Sequence, residues 1–100
     1  MRDLGAFRLC LYDEDVLKKI IHSPESRVLT ALLRKLRKDA GLTQGQLAER
    51  LGVQRQIVTS IERGERIFLL LDTREYLRPF GVGAVEFMVM LEEALVTNGL

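Results

Sequence analysis

The sequence predicts an all-α bundle, and two observations carry that prediction. Apolar residues recur every three or four positions in several segments, which is the spacing of an amphipathic helix. Most of these segments are closed by a glycine or a proline, the residues that commonly end helices. The chain has 100 residues, of which 47% are hydrophobic and 29% charged, as expected for a small globular domain with one core.

The first 25 residues are predicted to form an N-terminal extension whose organisation stays open. Residues 7–12 alternate in part between apolar and polar side chains, so they form either a short strand or an extended arm. Residues 13–15 are acidic and would cap a short helix through Ile21, because carboxylates favour a helix N-terminus. Cys10 is the only cysteine, which is compatible with a reducing cytoplasm.

The first well-marked helix begins after Ser23. That serine is a good N-cap, and Pro24 occupies the first helical position, where its missing amide hydrogen costs nothing. The apolar residues that follow at helical spacing are Val28, Leu29, Leu32, Leu33, Leu36 and Ala40. Gly41 is expected to end this helix.

Two shorter helices joined by a tight turn are predicted next, as in a helix-turn-helix. Thr43 caps the first, and the second runs from Gln54 to Arg63. Ala48 is small enough for the second helix to cross there, and Gly52 accepts the left-handed backbone of the turn. The residues predicted to pack inward are Leu47, Ala48, Leu51, Val53, Val58 and Ile61.

The C-terminal part is more apolar and is predicted to form two more helices. One runs from about Leu70 to Phe80, and Pro79 should end or kink it because proline lacks an amide hydrogen. The last extends from Ala84 to Val96 and is apolar over most of its circumference. The predicted organisation is an extension (1–25), a helix-turn-helix domain (26–83) and a C-terminal helix for packing or dimerisation (84–100).

The charges are distributed unevenly along the chain. Residues 27–66 contain nine lysines and arginines against four acidic residues, a net charge of +5, whereas residues 1–26 carry −1 and residues 67–100 carry −3. A basic segment between acidic flanks is typical of a module that binds an anion such as DNA. A solvated, arginine-rich helix surface would have the same composition, so charge leaves both interpretations open.

The second helix of the predicted pair has one face made of hydrogen-bonding side chains. In projection this face falls within an arc of about 140° and comprises Arg55, Gln56, Thr59, Ser60 and Arg63. Such side chains suit base reading in a DNA major groove, since arginine pairs with guanine and glutamine with adenine. Any surface helix is polar outside, so the better discriminator is the spacing of the packing residues Ala48, Gly52, Val58 and Ile61.

The stretch from Leu33 to Val82 contains the segment GLTQGQLAERLGVQRQIVTSIERGER and, later, Phe80-Gly81-Val82. In these motifs it resembles the lambda-repressor/Cro-like (XRE-type) DNA-binding domains. Together with SPESRVLTALLRKLRKDA, the resemblance covers about 70 of the 100 residues. It implies a five-helix domain with a short N-terminal extension, which binds double-stranded DNA.

The resemblance also implies roles for individual residues. Those facing bases or the nearby backbone would be Arg55, Gln56, Thr59 and Ser60. Those near DNA phosphates would be Thr43, Gln44, Gln54, Arg63 and Arg66, the last two being either backbone contacts or solvated charges. Arg37 and Glu62 match the family's partly buried ion pair, whose role is architectural. The sequence departs from the family pattern at Gln54, which is a poor N-cap, at Gly45, which costs about 1 kcal/mol inside a helix, and also at Leu69 and Gly83-Ala84.

The C-terminal half has more apolar side chains than a thin five-helix core can hold. The excess indicates a homodimer, because contiguous exposed apolar surface usually marks association. A two-fold dimer would set two reading helices about 34 Å apart and select a near-palindromic operator. The residues predicted to form this interface are Phe87, Met88, Met90 and Leu91.

Three functions are compatible with these observations. The first is a sequence-specific transcription regulator, most simply a repressor that occludes its operator. The second is an antitoxin that binds a protein partner such as a toxin and represses its own operon. The third is a protein-interaction module that has kept the fold and lost DNA binding.

An enzyme is not expected, and no cofactor or metal is predicted. His22 is the only histidine, and the sequence has neither a His/Cys cluster of the kind that holds metals nor a glycine-rich phosphate loop. No apolar run reaches the roughly 18 residues that a membrane span needs. No signal peptide is recognised, so a cytoplasmic protein without membrane contact is expected.

Overall fold

The computed structural model describes residues 20–65 and 70–100, which contain helices and loops but no strand. Five α-helices occur in this part of the chain: α1 (Pro24–Asp39), α2 (Gln44–Leu51), α3 (Arg55–Glu62), α4 (Leu70–Leu77) and α5 (Ala84–Thr97). A 3-10 turn, Arg78–Phe80, follows α4 directly. The predicted all-α, five-helix fold is therefore confirmed for the described residues.

α1 and α2 begin at the N-caps that the sequence predicts, and α2 ends at the predicted glycine. The Ser23 side chain accepts a hydrogen bond from the Ser26 amide at 3.1 Å, which starts α1. At α2 the Thr43 hydroxyl accepts from the Gln46 amide, while the Gln46 side chain accepts from the Thr43 amide. This reciprocal pair is a capping box. Gly52 then ends α2 in the left-handed conformation, with φ of 72°.

The other three helices end one to three residues away from the predicted positions. Gln54 is the N-cap of α3 and makes no side-chain hydrogen bond there, as its side chain predicts. α4 stops at Leu77 instead of Phe80, because Pro79 cannot supply an amide hydrogen and the chain tightens into the 3-10 turn. α5 ends at Thr97, one residue beyond the predicted end.

The core lies where the five helices meet. Its buried side chains are Leu33, Leu42, Leu47, Ala48, Val58, Ile61, Tyr76, Leu77 and Phe87. α2 packs closely on α3, while α5 packs on α1 and α4. Each fully buried large apolar side chain stabilises the fold by about 1.5–3 kcal/mol. Because all five helices contribute, the orientation of α3 depends on the whole bundle.

The packing prediction for Val53 is wrong. The sequence places it beneath α3, but its side chain is 40% exposed. Val53 follows Gly52 in the turn, where the left-handed backbone breaks the helical repeat, so helical spacing cannot be extended across it. The other residues predicted to pack inward are buried or half-buried.

Three predictions lie outside the described residues. They concern the strand or arm at residues 7–12, the helix cap at residues 13–15, and Arg66. Within residues 20–65 and 70–100, no helix is long and apolar enough to cross a membrane. The same residues contain no group of three or more His, Cys, Asp or Glu side chains that could hold a metal ion.

Candidate nucleic-acid interface

The outer face of α3 is a polar surface. Its side chains line one shallow concave region: Arg55, Gln56, Thr59, Ser60 and Arg63. Arg55, Gln56 and Arg63 are exposed, whereas Thr59 and Ser60 are half-buried. The structure thus brings the four residues predicted to read bases onto one surface, together with Arg63. We call this surface the polar face.

α2 supports the polar face from beneath. Val58 and Ile61 on the inner side of α3 are buried against the core, as are Leu47 and Ala48 on α2. The Val53 amide donates to the Ala48 carbonyl at 3.0 Å, which closes the turn between the two helices. With its apolar side held in the core, α3 cannot rotate about its axis, and the polar face stays turned to solvent.

The N-terminus of α2 borders the polar face. A second shallow depression is lined by Arg37, Leu42, Thr43, Gln44, Gly45 and Arg55. Arg55 belongs to both depressions, so it lies between α2 and the rest of the polar face. The Thr43 hydroxyl is engaged in the capping box. Gln54 and Arg63, also predicted near phosphates, are exposed at the two ends of α3.

A buried ion pair lies beneath this surface. Arg37 Nε donates to Glu62 Oε2 at 2.6 Å, and Arg37 Nη2 donates to Glu62 Oε1 at 3.1 Å. The Glu62 side chain is 2% exposed. Arg37 Nη1 also donates to the Leu42 carbonyl at 2.8 Å. The pair ties α1 to the end of α3, and the third bond extends this tie to the loop before α2.

Glu62 has further partners besides Arg37. Gln44 Nε2 donates to Glu62 Oε1 at 3.0 Å, and Arg34 Nε lies 3.8 Å from the same oxygen. Burial by itself would raise the pKa of Glu62, but the hydrogen bonds from Arg37 and Gln44 and the charges of Arg37 and Arg34 outweigh it. The pKa of Glu62 is therefore lowered from 4.5, and the carboxylate is ionised at neutral pH.

Two residues that interact with Glu62, Arg34 and Tyr76, are not predicted from the sequence. Arg34 Nη2 donates to the Glu62 backbone carbonyl at 2.9 Å. Helical spacing could have found it, since Arg34 precedes Arg37 by three positions on α1. Tyr76 on α4 is buried; burial raises the pKa of its phenol, and the negative charge of Glu62 raises it further, opposed by Arg37. Its place depends on how α4 packs, for which no local signal exists.

Gln44 connects the buried ion pair to the polar face. Its Nε2 donates to Glu62, and its Oε1 accepts from Thr59 Oγ1 at 2.9 Å. Both ends of this half-buried amide are therefore engaged. Gln44, predicted near a phosphate, and Thr59, predicted near a base, belong to one chain of hydrogen bonds that ends at Glu62.

α5 has a buried face and an exposed apolar face. Among the four residues predicted for a dimer interface, Phe87 lies in the core with 2% exposure. Met90 and Leu91 are half-buried, and Met88 is exposed. The exposed large apolar residues of this helix are Val85, Met88, Val89 and Val96. Their spacing places them on one side of α5, opposite Phe87.

Comparison with known proteins identifies the family. The sequence profile described as "Helix-turn-helix domain" matches residues 28–87. A protein of Methanothermobacter thermautotrophicus, named "Uncharacterized HTH-type transcriptional regulator", is 37% identical over 65 residues, which are 65% of this chain and 94% of that protein. No solved structure matches the chain. The chain therefore belongs to the helix-turn-helix domain family, in the lambda-repressor/Cro-like (XRE-type) form that its sequence resembles.

Proposed function

We propose that this protein is a sequence-specific DNA-binding transcription regulator that represses by occupying a near-palindromic operator as a homodimer. The observation that carries the proposal is the polar face of α3, on which five hydrogen-bonding side chains line one surface. Major-groove reading requires such a face on the second helix of a helix-turn-helix. The name of the related Methanothermobacter thermautotrophicus protein, an HTH-type transcriptional regulator, supports the same role.

Arg55 and Gln56 are the principal base readers in this proposal. Both are exposed in the first turn of α3, and the N-terminal residues of a recognition helix are those that contact base edges. Arginine donates two hydrogen bonds to guanine, and glutamine both donates to and accepts from adenine. Thr59 and Ser60 follow one turn later and face the neighbouring base or the backbone.

The N-terminus of α2 is the proposed phosphate contact. It adjoins Arg55 in the second depression, and the first amides of a helix offer hydrogen bonds and partial positive charge to an anion. Gln54 and Arg63 flank the polar face at the ends of α3. Such contacts add affinity that falls with salt and carry no sequence information themselves.

The homodimer is proposed to form through the exposed apolar face of α5. Pairing the valines of two copies would remove them from water, which is the usual role of such a patch. Val89→Glu should therefore lower the mass measured by sedimentation equilibrium without loss of helicity, whereas Lys35→Glu on α1 should leave the mass unchanged. A wild-type protein that sediments as a monomer would contradict the dimer and favour the antitoxin alternative, in which this face meets a different protein.

Selection from random duplex DNA tests the reading function. Arg55→Ala should lose the preference at one position of each half-site, worth about 1–3 kcal/mol. The matched control is Arg27→Ala, which removes the same charge from α1 beside Ala94 of α5 and should leave every preference intact. If the wild-type protein enriches no site, or if Arg55→Ala binds as the wild type does, the proposal fails.

A further inference from the structure

We infer that Glu62 sets the direction of a chain of hydrogen bonds, and that this direction leaves the Thr59 hydroxyl able only to accept hydrogen bonds from DNA. Thr59 therefore selects adenine or cytosine over guanine or thymine. The inference rests on the proposed DNA reading and adds the chemical class of the base at one position. The chain runs from Glu62 through Gln44 to Thr59. At each step the chemistry of one group dictates the role of the next.

The chain begins at a group that can only accept. Glu62 receives two charged hydrogen bonds from Arg37, at 2.6 and 3.1 Å, and its side chain is 2% exposed. An ionised carboxylate has no proton to donate. The 3.0 Å contact between Glu62 Oε1 and the Gln44 amide therefore requires the NH2 group of that amide. The flipped amide would place two oxygens against each other.

The orientation of the amide then determines the role of Thr59. With its NH2 group toward Glu62, Gln44 presents its carbonyl oxygen to Thr59 Oγ1 at 2.9 Å. A carbonyl only accepts, so the hydroxyl donates its single proton. The Arg55 backbone carbonyl, 3.2 Å from the same hydroxyl, is an acceptor too. The proton thus stays within the protein, and only lone pairs of Thr59 Oγ1 remain for a ligand.

An acceptor on the polar face distinguishes bases by their exocyclic groups. In the major groove adenine N6 and cytosine N4 donate, whereas guanine O6 and thymine O4 accept. A threonine whose hydroxyl turned freely would suit either class. The restriction comes mainly from Gln44, because its carbonyl lies nearer to the hydroxyl than the Arg55 carbonyl does, at 2.9 Å against 3.2 Å. Gln44, oriented by Glu62, and Glu62 itself act as positioning residues. Arg55, one turn earlier, only donates and seeks the opposite class of base.

The test is selection from random duplex DNA with the full chain and three variants, Thr59→Val, Thr59→Ser and Gln44→Leu. The position read by Thr59 is the one whose preference Thr59→Val abolishes and Thr59→Ser keeps. At that position we expect the wild type to favour adenine or cytosine by about 3- to 10-fold, the scale of one hydrogen bond. Gln44→Leu removes the nearer acceptor and leaves only the 3.2 Å contact to the Arg55 carbonyl. The hydroxyl can then also turn to donate to DNA, so this ratio should fall toward one, while the preference at the position read by Arg55 persists.

Other outcomes decide against the inference. Guanine or thymine at the Thr59 position would mean that the hydroxyl donates, because both bases present an acceptor there. A Gln44→Leu variant with the wild-type ratio would equally overturn it. If Thr59→Val alters no position, the inference fails, although enrichment that depends on Arg55 leaves the proposed function intact. If the wild type enriches no site, both fail.

A second measurement tests the chain without DNA. The urea midpoints of Gln44→Leu, Thr59→Val and the double variant should be non-additive, because each single change removes the same hydrogen bond. Ser60→Ala, on the same face, is the matched control and should add to Gln44→Leu. Additive shifts for Gln44 and Thr59 would show that the bond is absent from the free protein and would overturn the inference.

Discussion

The helix-turn-helix and the last helix of this protein are held in place by different interactions. α3 is anchored through Glu62, whose donors come from α1 and α2. α5 is anchored through Phe87 in the core and exposes valines on its other side. Hydrogen bonds have preferred directions, whereas apolar contact has none. Directed hydrogen bonds therefore hold the helix whose side-chain orientation matters for function, whereas apolar packing is sufficient for the helix that needs only to be buried on one side.

The largest effect is expected at the buried charge. Glu62→Ala should lower the free energy of unfolding by about 3–5 kcal/mol, because Arg37 is left buried without its counter-ion. The matched control is Asp39→Ala, which breaks the Lys35–Asp39 pair of 2.7 Å on the exposed side of α1 and should cost about 0.5 kcal/mol. Urea denaturation measures both. Equal losses in the two variants would contradict the role assigned to Glu62.

A comparable loss is expected from the apolar anchor. Phe87→Ala should cost about 3–5 kcal/mol, since it removes a fully buried ring and leaves a cavity. Val85→Ala on the same helix should stay within about 0.5 kcal/mol, because Val85 is 81% exposed. Thermal melts at a concentration where the protein is monomeric give the comparison. A small loss for Phe87→Ala would mean that α5 is not anchored in the core.

The two anchors should differ in their response to pH. The lowered pKa of Glu62 means that its ionised form stabilises the fold above pH 4.5, and that this contribution is lost as the pH falls through the lowered value. The difference in unfolding free energy between the wild type and Glu62→Gln should therefore shrink below pH 4.5. The difference between the wild type and Phe87→Ala should not follow this course. A constant gap for Glu62→Gln between pH 7 and pH 3 would contradict the shift.

A smaller gain is expected at the start of α3. Gln54 has the extended backbone of an N-cap, with φ of −75° and ψ of 150°, but makes no side-chain cap bond. Gln54→Ser should supply that bond and stabilise the protein by about 1 kcal/mol. Gln54→Ala, which cannot accept a hydrogen bond, controls for loss of the long side chain. If serine and alanine have the same effect on the melting temperature, capping is not what α3 lacks.

The helix starts and the tight turn of the helix-turn-helix region could be predicted because the residues that specify them act locally. Ser23, Thr43 and Gly52 act within one helical turn, so their effect can be read without knowing the fold. The polar face likewise follows from the helical repeat of α3, whose apolar and polar residues occupy separate arcs. Which of these residues contact bases or phosphates stays a prediction.

Contacts between helices could not be predicted in the same way. Gln44 and Thr59 are 15 positions apart, and their hydrogen bond depends on how α2 crosses α3. Which side of α5 faces the core could not be predicted either. That helix is apolar over most of its circumference, so the spacing of its apolar residues does not single out one face. Phe87 therefore lies in the core and not on the surface predicted to form a dimer interface.

The helices, the tight turn and the polar face of α3 follow from the amino-acid sequence alone. These features depend on caps, turn residues and helical spacing, which act over a few neighbouring positions. By contrast, the bonds that join Thr59 to Glu62 through Gln44 and the burial of Phe87 depend on how the helices pack. The reason is geometric, since a hydrogen bond or a core contact between distant residues exists only when packing brings them within a few ångströms.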